Sequence, residues 1–261
     1  NITFVDSGAV RLHSSAGADG DLYINAGTDG AVGGNLSITA TTGNITQGVA
    51  LAVGGTSTFV TSANDATIAL TTDSNAFTGA LLITTNDSGT DTAGDVSIDG
   101  GTTGLIMGLS TIDGDLALRS GAAITDTGVA TVRGTLSATT DAGNSAITLD
   151  QLAVDGAFTL APNGNGAVTV VNDAGLNLAA STMGGTFSGT ATTGDISDSG
   201  NLAITGAATF ITGASGSNII LDASGNAFSS AVTLRADAGN EAFGNITFVD
   251  SGAVRLHSSA G

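Results

Sequence analysis

The sequence of 261 residues has no cysteine, no tryptophan and no lysine, and it has a single proline. Without cysteine the chain forms no disulfide and uses no thiolate as a nucleophile. Its five basic side chains are all arginines, its acidic side chains are almost all aspartates, and its formal net charge is −18. That charge argues against nucleic acid and anionic membrane surfaces as partners, because both bind basic patches.

Long apolar runs and helix-forming stretches are scarce as well. No run approaches the roughly 20 apolar residues that cross a bilayer, so we expect no membrane insertion. Glycine occupies 40 positions, and Thr, Ser, Asn and Asp, which favour turns and strand edges over helices, fill much of the rest. Val, Ile and Leu recur throughout, which favours a packed fold over disorder. The chain starts at Asn1 rather than at methionine, which suggests an excerpt or a processed product.

One segment occurs twice. The first seventeen residues, NITFVDSGAVRLHSSAG, return unchanged as residues 245–261, which gives a period of 244 residues (245 − 1). We interpret residues 1–244 as one full tandem repeat and residues 245–261 as the start of the next copy; a fusion scar is the alternative. If the fold carries on through the duplicated segment, both copies should lie in similar surroundings.

A weaker repeat lies inside this period. Residues 42–84 align without a gap to residues 193–235 at an offset of 151, and a third copy from about Gly121 aligns at an offset of 79. Apolar positions persist while their polar neighbours vary: Phe59 matches Phe210, Leu70 matches Leu221, and Ile147 matches Ile68. The pattern predicts sub-repeats at 42–120, 121–192 and 193–244, the last continuing into the next copy.

Apolar residues alternate with polar or small ones, which is typical of strands with one buried face. The inward pairs are Leu36 and Ile38, Ile68 and Leu70, Val96 and Ile98, Leu116 and Leu118, Ile147 and Leu149, Val168 and Val170, Leu202 and Ile204, Val232 and Leu234, and Val254 and Leu256. Between them we predict corners with a left-handed backbone at the Asp-Gly and Asn-Gly pairs 19–20, 29–30, 99–100, 113–114, 155–156 and 163–164.

Short strands without intervening helices fit an antiparallel sandwich or barrel, or a parallel β-solenoid. The tandem identity favours the solenoid, because stacked coils share one core across any number of copies. We therefore predict an all-β, right-handed parallel β-helix with roughly nine to eleven coils per 244-residue repeat.

Three stretches, GGNLSITATTGNITQ, GDLALRSGAAITDTG and GNLAITGAATFITGASG, resemble the secreted β-helical adhesins of the filamentous-haemagglutinin type and the giant tandem-repeat surface proteins of bacteria. The resemblance extends over nearly the whole chain. It depends on G-N/D-L-x-I/L strands and low-complexity turns, and it brings no functional residue. It implies a right-handed parallel β-helix, export, and a role as a surface fibre or adhesin.

Few residues suggest catalysis. His13 and His257 are one position in two copies; alternation turns Arg11 and His13 outward, and no Ser/Asp partner motif accompanies them. Arg119 and Arg235 are expected to face outward and pair with aspartates of adjacent coils. Polysaccharide enzymes need paired carboxylates and aromatic platforms, whereas the chain has one tyrosine, Tyr23, and its phenylalanines Phe59, Phe77, Phe210 and Phe228 fall at interior positions. We predict no enzyme activity, no catalytic residue and no cofactor.

The acidic stretch NDSGTDTAGD, with Asp87, Asp91 and Asp95, is the one candidate calcium site, since Ca²⁺ takes six to eight oxygen ligands. It lacks the EF-hand and β-roll patterns, so a solvated loop is the default interpretation and no metal residue is assigned. Triplets such as TAT and TVT do not recur at one fixed interval, which argues against a flat threonine array.

The sequence therefore favours a structural repeat of a long secreted β-solenoid that forms an extracellular or cell-surface fibre. The alternative is an adhesin stalk or binding module for carbohydrate or a host surface, and a β-helical polysaccharide enzyme is the third possibility. The expected partners are further copies stacked end to end, with lateral association assisted by divalent cations.

Overall fold

The alternating apolar residues form short parallel strands that wind into a β-solenoid of about nine turns. The computed structural model describes residues 1–13, 21–23, 31–86, 93–236 and 243–254, with the backbone alone for residues 13 and 21–23. No helix occurs in these ranges, and so none there is long and apolar enough to span a membrane. The prediction of an all-β solenoid is confirmed.

The strands lie in four sheets that run along the column. Sheet 1 has 13 strands: Ile2–Asp6, Leu36–Ala40, Ser57–Asn64, Leu81–Asn86, Leu105–Met107, Ser110–Ile112, Ile124–Asp126, Ala130–Val132, Ile147–Val154, Val168–Asn172, Phe187–Ala191, Ala208–Thr212 and Val232–Arg235. Sheet 2 has 12 strands: Val10–His13, Asp21–Tyr23, Ile45–Gln47, Ile68–Leu70, Val96–Asp99, Leu116–Ser120, Leu136–Thr140, Ala157–Ala161, Leu176–Leu178, Ile196–Asp198, Ile219–Leu221 and Ile246–Phe248. Sheets 3 and 4 have three strands each: Ala31–Val32, Ala52–Val53 and Ala76–Phe77, and Ser181–Met183, Leu202–Ile204 and Ala227–Phe228.

The core is one continuous column of inward Val, Ile, Leu and Phe side chains. In the strand Leu36–Ala40 the two predicted inward residues are fully buried, while the two residues between the buried positions are half-buried. Each such leucine or isoleucine stabilises the fold by about 1.5–3 kcal/mol relative to an exposed side chain. All predicted inward pairs from Leu36 to Ile204 are buried, whereas Val232 and Leu234 are partly buried. The prediction is wrong for Val254, which is 50% exposed and lies outside a strand; Leu256 lies outside the described residues.

One turn recurs along the column at the same internal offsets as the sequence repeat. Asp65, Asn144 and Gly216 adopt left-handed φ angles of 59°, 62° and 75°. These positions are separated by 79 (144 − 65) and 151 (216 − 65) residues. Asparagine and aspartate tolerate this conformation better than other side chains, and glycine adopts it without strain. The chain therefore turns the same corner three times with three different residues.

Most of the predicted Asp-Gly and Asn-Gly corners need glycine for another reason. Among the described pairs only Gly164 has a positive φ, 57°, and the pairs 19–20 and 29–30 lie outside the described residues. Gly156 instead lies directly against Gly134, whose carbonyl oxygen would be 2.3 Å from an added Cβ. Its N–H donates to that oxygen at 3.0 Å. Glycine is required here because consecutive coils approach too closely for a side chain.

The two copies of the duplicated segment lie in different sheets. Ile2–Asp6 pairs with Leu36–Ala40 in sheet 1, whereas Ile246–Phe248 pairs with Ile219–Leu221 in sheet 2. The expectation that both copies have similar surroundings is therefore wrong. The physical reason is that the alternation of Ile and Phe in this segment presents an apolar face to either open sheet edge, and nothing in that pattern distinguishes the two sheets.

Candidate interaction surfaces

Both ends of the described column are open sheet edges. Ile2–Asp6 is the outermost strand of sheet 1 at the amino-terminal end, and its Val5 side chain is 64% exposed. At the other end sheet 1 stops at Val232–Arg235 and sheet 2 at Ile246–Phe248, where Ile246 is 47% exposed. An edge strand presents unpaired N–H and C=O groups that pair readily with another strand. These edges are candidate surfaces for pairing with a further strand.

A ladder of asparagine and aspartate side chains connects successive coils beside each edge. At the amino-terminal end the Asn1 side-chain oxygen accepts the Asn35 N–H at 2.9 Å, and the Asn35 oxygen accepts the Thr56 N–H at 3.0 Å. At the carboxyl-terminal end Asp195 accepts the Asn218 N–H at 2.7 Å, and Asn218 accepts the Asn245 N–H at 2.9 Å. Each rung thus sets the register of the following coil, and Asn245 is the last described rung.

Phenylalanine side chains stack along the interior towards the carboxyl-terminal end. The ring centroids of Phe187, Phe210, Phe228 and Phe248 are successively 5.0, 6.1 and 5.1 Å apart. Phe59 and Phe77 form an equivalent edge-to-face pair at 6.3 Å. The prediction that Phe59, Phe77 and Phe210 are interior is confirmed, and Phe228 is partly buried against the core. Because Phe248 is the copy of Phe4, the duplicated segment adds the last ring of this stack.

The outward face of sheet 1 carries a column of hydroxyl groups. Strand register places six hydroxyl residues side by side: Thr125, Thr148, Thr169, Ser188, Thr209 and Thr233. Neighbouring strands lie roughly 4.8 Å apart. Successive coils differ in length, so that these hydroxyls align in space without recurring at one interval in the sequence, and the column could not be found from the sequence pattern.

Two arginines pair with aspartates of adjacent coils. Arg119 Nε lies 2.7 Å from Asp141 Oδ2 and 3.9 Å from Asp99 Oδ2, as its predicted outward position requires. The hydrogen bond and charge of Asp141, followed by the charge of Asp99, raise the pKa of Arg119. Arg133 Nη1 lies 3.6 Å from an Asp113 carboxylate oxygen. Such exposed pairs contribute little to stability.

Asp126 is a partly buried carboxylate within the acidic surface. Burial raises the pKa of Asp126, and hydrogen bonds from the backbone N–H groups of Gln151 and Asp150 act in the opposite direction. These amides lie 2.8 and 3.2 Å from the carboxylate. Gln47 and Asp198, which are related to Asp126 by the internal offsets, accept backbone amides of the following coil in the same way. The side chain at this position therefore fastens one coil to the next.

The residues considered for chemistry are not brought together in the described ranges. Asp95 accepts the Asp115 N–H at 2.9 Å, whereas Asp87 and Asp91 lie outside the described residues. No group of three metal-ligating side chains occurs within residues 1–13, 31–86, 93–236 and 243–254. His13 belongs to a strand of sheet 2, its side chain and that of Tyr23 are not described, and His257 also falls outside.

A polar cleft of about 520 Å³ lies on the outer side of sheet 2 near the corner that leads into it. Its lining includes the carboxylates of Asp155 and Asp195, the amide of Asn177, and the hydroxyls of Thr193 and Ser197. The Asn177 side-chain oxygen is buried without a hydrogen-bond partner. The cleft offers hydrogen-bonding groups and no aromatic platform.

A family model matches most of the chain. The family model described as "Repeats of unknown function (DUF5649)" matches residues 7–84, 93–163 and 164–235. The ends of these matches are 79 (163 − 84) and 151 (235 − 84) residues apart, the same offsets that relate the recurring turn. No curated protein and no solved structure matches the chain. The sub-repeat boundaries at 42, 121 and 193 stay a prediction.

Proposed function

The chain belongs to this family of repeats, and on that basis we propose that it is a structural section of a long secreted β-solenoid, a fibre at or beyond the cell surface. The observation that carries the proposal is the pair of open edges, Ile2–Asp6 at one end and Ile246–Phe248 at the other, which are two copies of one sequence. A column that ends in unpaired strands gains core and backbone hydrogen bonds with every coil that is added.

The composition of the surface supports the same role. A net charge of −18 keeps such a column soluble and repels parallel neighbours. The described Asp and Arg side chains form coil-to-coil contacts rather than a constellation for acid–base chemistry. The proposal therefore assigns the chain no catalytic step, and it requires no cofactor.

The proposal is tested with arrays of one, two and three tandem copies of residues 1–244, each followed by residues 245–261. Because each of the roughly nine turns contributes roughly 4.8 Å, electron micrographs should show rods that lengthen by about 45 Å per copy. Melting temperature should rise from one copy to three, since the shared core has fewer open ends per coil. Particles whose longest dimension does not grow with copy number, or equal melting temperatures, would rule out a continuous column.

A binding module for carbohydrate is the second candidate, and the polar cleft beside Asp155, Asn177 and Asp195 is the observation that favours it. The unpartnered Asn177 oxygen and the two carboxylates would accept hydrogen bonds from sugar hydroxyls. A glycan array probed with the chain and with Asn177→Leu tests this role. If the chain binds a glycan and the variant does not, the binding role is supported. If no glycan on the array gives a signal, only the fibre proposal remains.

A further inference from the structure

Successive coils have similar lengths except at the amino-terminal end. Asn35 and Thr56, which are hydrogen-bonded across one coil, are 21 residues apart in the chain. Asp195 and Asn218, bonded in the same way, are 23 residues apart. Asn1 and Asn35 form the first rung of the ladder, and they are 34 residues apart. The first step along sheet 1 therefore contains a surplus of chain.

Sheet 2 has the same anomaly. The number of residues between the paired residues Val10 and Ile45 is about half as large again as the number between Ile45 and its next partner, Ile68. The strand Asp21–Tyr23 shows where the surplus lies. It pairs with Val10–His13. The number of residues between paired positions of these two strands is less than half of that in a regular coil, which is too few for one turn of this column. In the first two turns sheet 2 therefore contains one additional strand, Asp21–Tyr23. On each sheet one pair of neighbouring strands is separated by unusually many residues.

A shift by one strand restores regular coils. If Val10 pairs with Leu36, and Leu22 pairs with Ile45, both steps fall within the range of the regular coils. Val10 and Leu12 would then continue the inward positions of Leu36 and Ile38, because both pairs have the same alternating spacing. In sheet 1 the strand Val10–His13 would replace the strand Ile2–Asp6.

The first strand of the carboxyl-terminal copy already lies in the sheet that this shift requires. Ile246 pairs with Ile219 in sheet 2, and the N–H of Asn245 is held by Asn218 across a regular step of 27 residues. Ile246 is the same residue as Ile2 in the next copy. One sequence thus takes sheet 2 when a full column precedes it and sheet 1 when none does.

We propose that the segment Asn1–His13 is a strand-exchange joint that recognises the carboxyl-terminal end of a second copy of this chain. Without a preceding copy, Ile2–Asp6 folds back as a cap on the open edge of sheet 1. When a copy precedes it, Asn1–Asp6 pairs with Ile219–Leu221 of that copy, and Val10–His13 moves from sheet 2 to sheet 1. This joint rests on the end-to-end assembly proposed above and specifies its register.

The exchange conserves most of the interactions. Ile2 and Phe4 pack against the core at the amino-terminal end, and Phe248, the copy of Phe4, packs against it at the other end. In both arrangements the backbone of the segment pairs in parallel with a neighbouring strand. What the exchange adds is one regular coil and the contact of Phe4 with the phenylalanine stack, since Phe248 lies 5.1 Å from Phe228. A segment with two nearly equivalent positions is bistable, and the preceding edge decides between them.

Disulfide trapping tests the joint, because the chain has no cysteine of its own. Adjacent parallel strands lie roughly 4.8 Å apart, within the Cα separation that a disulfide accepts. The cap register is reported by Thr3→Cys with Ser37→Cys, since these residues are partners in the structure. The joint register is reported by Arg11→Cys with Ser37→Cys. Both pairs are placed in the single chain and in the second copy of a two-copy tandem chain.

The single chain should form the Thr3–Ser37 crosslink alone, and the second copy of the tandem chain should form the Arg11–Ser37 crosslink alone. Ser37→Cys with Thr58→Cys, an interior pair, is the control that must close in both proteins. If the Thr3–Ser37 crosslink persists in the second copy, the joint is overturned. A third pair, Ile220→Cys in the first copy with Thr3→Cys in the second, reports stacking by itself, so that its closure without the Arg11–Ser37 crosslink refutes the exchange while the fibre proposal survives.

Discussion

The Thr61 hydroxyl donates a hydrogen bond to the carbonyl oxygen of Ala66 at 3.2 Å, five residues further along the chain. The same bond recurs from Thr140 to Ser145 at 3.1 Å and from Thr212 to Ser217 at 3.5 Å. Each of these threonines is buried, and each bond spans the corner that contains the left-handed residue. The hydroxyl satisfies a carbonyl that the sharp turn would otherwise leave without a partner inside the column.

Replacement of these threonines by valine should therefore weaken the fold. Thr61→Val removes one hydrogen bond and leaves the Ala66 carbonyl unsatisfied, for an expected loss of about 1 kcal/mol. Thr140→Val should lose about twice as much, because its hydroxyl also accepts the Asn163 N–H at 2.9 Å. Denaturant unfolding measures both variants, and an equal loss at the two sites would contradict this account.

Gly216→Ala isolates the strain of the left-handed corner. An added Cβ at Gly216 meets no atom within 4 Å, so only the backbone conformation resists the substitution, at an expected loss of about 1 kcal/mol. Gly143→Ala is the matched control, because it also has open space around it and lacks a positive φ. The control should be neutral or slightly stabilising in thermal unfolding; a loss there as large as at Gly216 would refute the strain argument.

Asp126→Asn should change the pH dependence of stability. The raised pKa of Asp126 means that the folded state binds this proton more tightly than the unfolded state does. Stability therefore falls as pH rises from the ordinary aspartate value through the raised one, and the loss persists at neutral pH. Relative to the unmodified chain, we expect the melting temperature of the variant to rise by on the order of 1–2 °C between pH 3 and pH 7, because the variant lacks this titration.

Asp198→Asn is the counterpart at the equivalent position. Its carboxylate accepts hydrogen bonds from both the Asn226 side chain and the Asp222 N–H, and a single amide oxygen serves them less well than two carboxylate oxygens. Melting curves at pH 7 should show a decrease for this variant. A gain between pH 3 and pH 7 at both positions would indicate general relief of negative charge rather than the burial of Asp126.

Phe210→Ala should be among the most destabilising single substitutions. Phe210 is fully buried and stacks between Phe187 and Phe228, so its truncation leaves a cavity in a region that both neighbours line, at about 3–5 kcal/mol. Phe248→Ala, at the open end of the same stack, should lose less in urea unfolding. A larger decrease in the free energy of unfolding for Phe248→Ala than for Phe210→Ala would contradict this account of the stack.

Calcium should promote lateral association of the acidic columns. At 0.1 M salt the Debye length is about 10 Å, so the aspartates of parallel neighbours repel at close approach. Millimolar Ca²⁺ should raise the light scattering of tandem arrays, and chelator should reverse the increase. Scattering that ignores both additions would remove divalent cations from the proposed assembly.

The alternation of Leu36 and Ile38, or of Ile147 and Leu149, was enough to predict the inward face, because a period of two fixes which side chains are buried. The parallel column was predicted from the tandem identity of the chain ends, because the alternation also fits antiparallel sheets. The same period does not specify a sheet, and for that reason the positions of Ile2 and Ile246 could not be predicted. Asn218 and Asp195 look like ordinary turn residues in the sequence. Their contact depends on coil register, which the sequence pattern leaves open.

The spacing between successive coils does not depend on the number of residues in each coil. Backbone pairing holds successive strands at one spacing, although the coil from Ile68 to Val96 contains several residues more than the coil from Ile45 to Ile68. The additional residues leave the strand pairing on either side of them unchanged, and so they do not lengthen the column. Loop residues can therefore be inserted or deleted during evolution without a change in the distance between two points along the axis of the column.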